Sequence, residues 1–364
     1  MNLTSYRTLG KSGLIVSPFS LGTMTFGAGR WGASETTSRA LFDAYVEAGG
    51  NFIDTADIYS GGESESMLGR FLTDSRQRDR LVIATKSGFP RGQGTPLWGG
   101  NGAKNIRLAI ESSLKRLQTD YIDMYWIHVW DRTTPAEEVL ETLTQGVRSG
   151  KILHYGFSNT PAWYVTKIAM LAKAHGLPKP IGLQYAYSLI ERGVELDLIP
   201  AGQELGLGLV PWSPLAAGML TGKYGRDKLA DAARAAAMPD RGAEVSAEGS
   251  GGRLNGDNPF GGMLFTERNF DIVDVVKAIA SEIGRSPAEV ALKWVVERPG
   301  VSSVLIGASR VEQLQQNLAA FDVALTPAHL ARLEAATAMP LINPYFIFQL
   351  PISQLFGGQD VRRW

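Results

Sequence analysis

Cysteine is absent from all 364 residues of this chain, which removes disulfide frameworks, thiolate metal sites and cysteine nucleophiles together. Histidine is scarce. The four present contain no pair at H-x-H or H-x-x-x-H spacing, so a zinc-type hydrolytic centre has no ligand set. Excess charge is missing too: Lys+Arg and Asp+Glu both number 36, so no long-range field draws the protein to nucleic acid or an anionic membrane, and neither is expected as a partner. No run approaches the roughly 18 apolar residues of a membrane span, and MNLTSYRTLGKSG at the start has no apolar signal core. A cytoplasmic protein is expected, with its recognition local.

What is present is rhythm. From about Val16 to Phe321 short apolar runs alternate with longer amphipathic ones, the pattern of repeated βα units. Strands are predicted near Phe19–Gly22, Asn51–Asp54, Leu81–Lys86, Ile122–His128, Ile152–Ser158, Ile181–Gln184, Gly208–Trp212 and Ser303–Ile306. Helices open at Ser34, Pro135 and Pro161 and close on Gly49, Gly150 and Gly176. Eight such units without a composition break predict an α/β fold, a (β/α)₈ TIM barrel over residues 1–339. Two segments fall outside the beat. Residues 223–268 read as an inserted loop after strand seven, with room for a short helix at LADAARAAA, and residues 340–364 as an aromatic C-terminal tail packed on the surface.

One motif points elsewhere. Gly27, Gly29 and Gly32 fit G-x-G-x-x-G, with Asp54 at the spacing of a ribose-binding acid. The order is wrong for a dinucleotide fold, because the strand ends at Gly22, TMTF intervenes, and the helix signal comes only at Ser34. The stretch is better read as a loop at the barrel mouth. Trp31 in it lines a substrate pocket or packs on its own loop.

Four polar residues sit at neighbouring strand ends: Asp54, Tyr59 just beyond, Lys86 and His128. Singly each has an ordinary structural role. Together on one rim they form a proton-transfer set. A phenol is a poor proton donor at neutral pH, but a cation about 5 Å away at an effective dielectric of 20 favours its ionised form by roughly 3 kcal/mol. Lys86 would supply that cation, Asp54 would hold it charged, and His128 would hydrogen-bond the substrate oxygen. This suits reduction of a carbonyl by hydride. A Schiff-base lyase using Lys86 is the alternative chemistry, disfavoured because Asp54 keeps the amine protonated.

DTADIY, the lysine of IATK, the histidine of YWIH, GFSN, PWSPLAAGMLTGKY and IGASRVEQLQQN together resemble the aldo-keto reductases, in that family's order and over nearly the whole chain. The branch resembled is that of bacterial aryl-alcohol dehydrogenases, similar also to potassium-channel β-subunits. The resemblance implies a barrel whose bottom is closed by an N-terminal hairpin (YRTLGKSGLIVS), a catalytic tetrad of Asp54, Tyr59, Lys86 and His128, and extended binding of NADPH or NADP⁺ without a Rossmann fold. It implies cofactor contacts from Gly22, Thr23, Met24 and Asp54, and carboxamide contacts from Ser158, Asn159 and Gln184, although a buried structural amide suits Gln184 equally. Trp212 would stack on the nicotinamide, and Ser213, Leu215, Gly218 and Lys223 would follow the pyrophosphate. Gly307, Ser309, Arg310, Gln313, Gln316 and Asn317 would surround the adenosine. The partner is a small carbonyl compound, and no metal is expected. Trp31, Trp98, Trp130, Tyr345 and Phe346 suggest a bulky or cyclic one, with Tyr59, His128, Trp31 and Trp130 as its contacts. The loop at 223–268 either orders on the cofactor, through Arg226, Arg241 and Arg253, or is a tolerated insertion. A non-catalytic NADPH-binding subunit like the channel β-subunits is the alternative function.

Overall fold

The structure, a computed structural model, describes residues 1–27, 32–229, 254, 261–340 and 342–362. Trp31, Arg241, Arg253 and most of the inserted loop, including LADAARAAA beyond Leu229, lie outside the described residues. A hairpin of β1 (Arg7–Thr8) and β2 (Ile15–Val16) precedes eight parallel strands: β3 (Phe19–Gly22), β4 (Phe52–Asp54), β5 (Val82–Ser87), β6 (Ile122–Ile127), β7 (Ile152–Ser158), β8 (Gly182–Gln184), β9 (Gly208–Leu209) and β10 (Val304–Ile306). Their order is β10-β3-β4-β5-β6-β7-β8-β9. The remaining seam between β9 and the approach to β10 is bridged by Leu209 with Val301, and Leu305 donates its N–H to the Pro211 carbonyl at 2.8 Å. The result is a (β/α)₈ barrel.

All eight expected strands are present. Two edges differ in a way that matters: Lys86 is followed in β5 by Ser87, and β9 stops at Leu209 rather than Trp212. Pro211 has no N–H to donate, so the regular strand stops there, although Val210 and Trp212 still donate to Leu183 O and Tyr185 O on the β8 side at 2.7 and 2.9 Å.

Inside the barrel Leu9 and Val16 of the hairpin region pack with Phe52, Ala84, Met124, Trp126 and Val210. Trp126 fits there because two neighbouring strands carry glycine. A Cβ on Gly156 would lie 2.6 Å from the indole, and one on Gly182 2.9 Å from it. The hairpin side is therefore filled, which leaves the C-terminal strand ends as the accessible mouth.

Helices wrap the sheet with one apolar face inward. In α4 (Ala136–Arg148), Val139, Leu140 and Leu143 are buried while Glu137 and Glu141 are exposed, each buried leucine contributing about 1.5–3 kcal/mol. The others of eight residues or more among the described residues are α1 (Glu35–Glu47), α2 (Glu63–Ser75), α3 (Ala103–Leu117), α5 (Ala162–Ala174), α6 (Leu198–Leu205), α7 (Glu267–Glu282), α8 (Pro287–Val296), α9 (Val311–Leu318) and α10 (Pro327–Thr337). Ser34 caps α1 by accepting from the Thr37 N–H. Thr266 caps α7 in the same way, so Glu267 and Arg268 are helical and the insertion ends earlier than the sequence suggested. No helix of the described residues is long and apolar enough to cross a membrane.

The described tail, 342–362, lies on the surface. Tyr345 and Phe346 line a cavity of about 410 Å³ with Arg192, Glu195 and Glu334. None of Asp54, Tyr59, Lys86 or His128 lines it.

Candidate active site

Register places the tetrad. Asp54 on β4 pairs with Ala84 of β5, and Lys86, two residues on, pairs with Trp126 of β6, so successive strand ends stagger around the mouth. The Lys86 ammonium donates to Asp54 Oδ1 in close contact, to the Thr55 carbonyl at 2.7 Å and to the Tyr59 hydroxyl at 3.4 Å. The second Asp54 oxygen accepts from Gln184 Nε2 at 2.8 Å. Asp54 is 2% and Lys86 1% exposed, so this is an ion pair out of water.

Burial works against charge on both partners. For Lys86 it is the largest single influence and pushes the pKa down, but the carboxylate of Asp54, Tyr59 and their hydrogen bonds together outweigh it and leave the ammonium above its ordinary value. Burial likewise raises Asp54, and its contacts with Lys86 and Gln184 oppose that rise. The proton stays on the amine.

Tyr59 is set by a sharp reversal. Ser60, Gly61 and Gly62 follow it in left-handed conformations with φ of 52°, 66° and 97°, and Ser60 Oγ donates to the Phe26 carbonyl at 2.8 Å. A left-handed serine is costly and persists only where its surroundings fix it. His128, one residue past β6, donates its backbone N–H to Ser87 O at 2.8 Å. Its ring meets Tyr59 edge-on at 6.1 Å between centroids and Phe89 at 4.8 Å. Burial, and then the charge of Lys86, push the imidazole pKa down to about 2. It is therefore neutral, able to donate from one nitrogen and accept at the other, and its buried Nδ1 has no hydrogen-bond partner.

Beside this group stand the residues assigned to the nicotinamide end. Ser158 ends β7, fully buried, and Asn159 donates to the His128 carbonyl at 2.9 Å and to Ser158 Oγ at 3.0 Å. Gln184 is held by its bond to Asp54. Trp212 is half-buried over the barrel interior and its Nε1 is shut from solvent without a partner. Gly22 ends β3; Thr23 is spent on Asp54 O and Ser64 Oγ at 3.2 and 2.9 Å, and Met24 is half-buried.

Around the rim, Ser213, Ala216, Ala217 and Gly218 have φ of 54°, 48°, 54° and 92°, left-handed values costly at the three non-glycine positions, and Leu215 among them is half-buried. Lys223 is exposed over the Tyr224 ring. After β10, Gly307 is open, and Ser309 donates its N–H to Gln313 Oε1 at 3.0 Å. Asn317 reaches the Gly307 carbonyl at 3.3 Å, while Gln316 is exposed. Arg310 is exposed and occupies the N-cap of α9, one position before the first turn in which the sequence placed it; among the described residues it has no ion pair, with Glu312 or any other acid. Arg226 differs: it binds Asp271 and Asp274, both at 2.8 Å, as well as Glu267, so it is not free for phosphate as the sequence suggested.

Trp130 packs edge-on against Trp163 at 5.5 Å and tilts toward Tyr164 at 6.2 Å. Phe89 and Asp57 were not picked out by sequence reasoning. Phe89 follows Gly88 two residues past β5, and Asp57 lies inside DTADIY, where it reads as an ordinary turn residue.

A model of the aldo/keto reductase family matches residues 18–338. The chain is 33% identical to norsolorinic acid reductase B of Dothistroma septosporum, over 91% of this chain and 81% of that protein. It is 31% identical to the aryl-alcohol dehydrogenase [NADP(+)] of Phanerodontia chrysosporium, over 92% and 86%. With a probable voltage-gated potassium channel subunit beta of Oryza sativa subsp. japonica it shares 35% identity, over 91% and 95%.

Proposed function

The chain belongs to the aldo/keto reductase family, and from that premise we propose that it is an NADPH-dependent reductase of aldehydes or ketones, aromatic or alicyclic ones among them, with Tyr59 as the proton donor. The observation that carries this is the Lys86 ammonium held between Asp54 and the Tyr59 hydroxyl, beside a neutral His128. A cation at the phenol stabilises the phenolate left when the proton goes to the carbonyl oxygen, and the imidazole hydrogen-bonds that same oxygen.

The donors around the mouth fit a nicotinamide dinucleotide. Asn159 and Gln184 each spend amide N–H on the protein and keep an oxygen for a carboxamide. The left-handed backbone at Ser213, Ala216 and Ala217 is strain of the kind found at ligand sites, and Lys223 and Arg310 offer cations to phosphate. NADPH, when bound, supplies the hydride that goes to the carbonyl carbon. Arg310 at the N-cap of α9 favours the form carrying a 2′-phosphate. A relative named as an NADP(+) enzyme supports the same choice.

The substrate class rests on Phe89, Trp130 and the Trp163–Tyr164 pair beside it, and on relatives named for norsolorinic acid and aryl alcohols. A panel of carbonyl compounds with NADPH tests the reading. Aromatic aldehydes such as 4-nitrobenzaldehyde should turn over; if small aliphatic aldehydes surpass every aromatic and alicyclic compound, the bulky pocket is wrong. The similarity to a channel β-subunit supports a second reading, an NADPH-binding regulatory subunit. Catalytic consumption of NADPH by the panel would exclude it as the sole role.

A further inference from the structure

Behind Tyr59, on the far side of β5 from the barrel interior, lies a buried polar layer the proposed chemistry does not use. Asp57 is 3% exposed, and neither carboxylate oxygen has a hydrogen-bond partner. Its backbone N–H bonds to the Lys86 carbonyl at 3.0 Å, and Tyr59 N–H reaches back to Ala56 O at 3.2 Å, so Asp57 and Tyr59 share one turn. Across from it, the Arg91 Nε is also buried without a partner, and it stands 3.9 Å from Asp57 Oδ2. Three unsatisfied atoms of opposite charge thus face each other across a gap too long for a direct bond.

Arg91 belongs to the segment that carries Phe89. The segment folds back on itself: Arg91 N–H bonds to Trp98 O at 3.0 Å, and Gly100 N–H to Gly88 O at 2.8 Å. Arg91 also donates from its other end to Asn105 Oδ1 on α3 at 2.7 Å. The guanidinium is therefore anchored on one side and open on the Asp57 side. A movement of about 1 Å would convert the 3.9 Å gap into a charge-assisted bond from Arg91 Nε to Asp57 Oδ2 and satisfy both of those atoms.

We propose that Asp57 and Arg91 form a latch that positions the 88–100 loop, and with it Phe89 against His128, when ligand fills the carbonyl pocket. The proposal rests on the carbonyl-reductase reading for the identity of that pocket. Both partners are positioning residues, since neither faces the reacting atoms: Asp57 acts through the Tyr59 turn and Arg91 through Phe89.

The surroundings make the latch sensitive to pH. Facing Asp57 are Glu65 of α2, Arg91 of the loop, Arg116 of α3, Lys86 of β5, and Tyr125 of β6 with its hydroxyl on Ser87. Glu65 is paired with Arg116 at 2.6 Å and accepts from the Thr85 hydroxyl at 2.5 Å. Burial, then the charge of Glu65, push Asp57 up to about 7, against the cations of Arg91, Arg116 and Lys86. Below that pH the carboxyl is neutral and the latch is weak; above it the ionised form can draw Arg91 in.

The test uses Asp57→Asn, Arg91→Met and Arg91→Lys in the full chain with NADPH. Amide protection of residues 88–100, taken as the observed exchange rate relative to the intrinsic base-catalysed rate at each pH, should increase in the wild type as pH rises from 6 to 8 with cofactor and a carbonyl product analogue, benzyl alcohol, present. That pH dependence should vanish in Asp57→Asn and Arg91→Met and partly return in Arg91→Lys. KM for 4-nitrobenzaldehyde should rise by on the order of tenfold in the first two at pH 8, more than kcat falls. Protection of the loop that is equally pH-dependent in all four proteins would overturn the latch. So would a raised KM that keeps the wild-type pH profile, since that is what loosened packing alone produces. The exchange readout needs no turnover, so failure of the wild type to reduce any carbonyl would defeat the proposed function without deciding the latch, which exchange decides.

Discussion

Over β4, β5 and β6 the barrel rim holds Asp54, Lys86 and His128 at no more than 8% exposure, Asp54 and Lys86 bonded to each other and His128 held through its backbone N–H on Ser87 O. Over β10 the rim holds Gly307, Arg310 and Gln316 exposed to solvent, with the Gln313 side chain accepting from Ser309. The first side has already met the cost of desolvating its charges, so its geometry is fixed before any ligand arrives. The second leaves the cation of Arg310, at a helix N-cap, without an ion pair among the described residues, a surface that gains by receiving an anion. On the proposed reading one side is arranged for chemistry and the other for binding, and substitutions should separate them.

Lys86→Met strikes the first side hardest. It removes the cation at Tyr59 and leaves Asp54 buried without its partner, so kcat/KM for 4-nitrobenzaldehyde should fall by about 10²-fold or more. Tyr59→Phe should lose as much while NADPH still binds, and the double variant should be little worse than either, because the pair acts as a unit. Activity of Tyr59→Phe within a few-fold of wild type would remove the phenol from its role.

Arg310→Ala addresses the second side, with a smaller effect of a different kind. Loss of one charged hydrogen bond, about 2 kcal/mol, corresponds to roughly thirtyfold weaker NADPH binding, with NADH almost unchanged and kcat little affected. Titration of the tryptophan fluorescence with each cofactor measures it. Equal losses for both would place the 2′-phosphate elsewhere, and a wild-type preference for NADH would reverse the assignment.

The two sides were also unequally legible in the sequence. Strand ends carry Asp54, Lys86 and His128, and strands announce themselves by short apolar runs, so alternation alone brought these residues to one rim. The α9 N-terminus was legible for the same reason. What escaped depends on contacts between distant segments. Asp57 becomes noticeable only once Glu65 and Arg91 stand beside it, and Phe89 only once its loop folds back over His128. Arg226 looked like a free cation because its partners, Glu267, Asp271 and Asp274, lie beyond an insertion whose length hides the pairing. The start of α7 was readable, since Thr266 followed by Glu267 is a capping signal. Tyr345 and Phe346 were assigned by residue type alone, and type says nothing about which face of the barrel a tail crosses.

The finest separation is within the buried side itself, where two groups oppose each other. His128 has a folded pKa of about 2 against about 6.5 in an unfolded chain, so as pH falls below about 6.5 the unfolded state takes up a proton the fold refuses, and stability drops by about 1.4 kcal/mol per unit. Asp57 has a folded pKa of about 7 against about 3.9 unfolded, so between those values the fold keeps a proton that the unfolded chain has lost, and its contribution falls as pH rises, again by about 1.4 kcal/mol per unit. Between about pH 4 and 6.5 the two slopes have opposite signs and nearly cancel in the wild type. Asp57→Asn should unmask the histidine: its unfolding free energy relative to wild type should climb with pH through that window and leave it the more stable protein at pH 8. His128→Gln should do the reverse, gaining on wild type as the solution becomes acid. Urea unfolding at pH 4.5, 5.5, 6.5 and 8 reads both differences, and profiles parallel to wild type in both variants would mean that neither group is held at the protonation state its burial dictates.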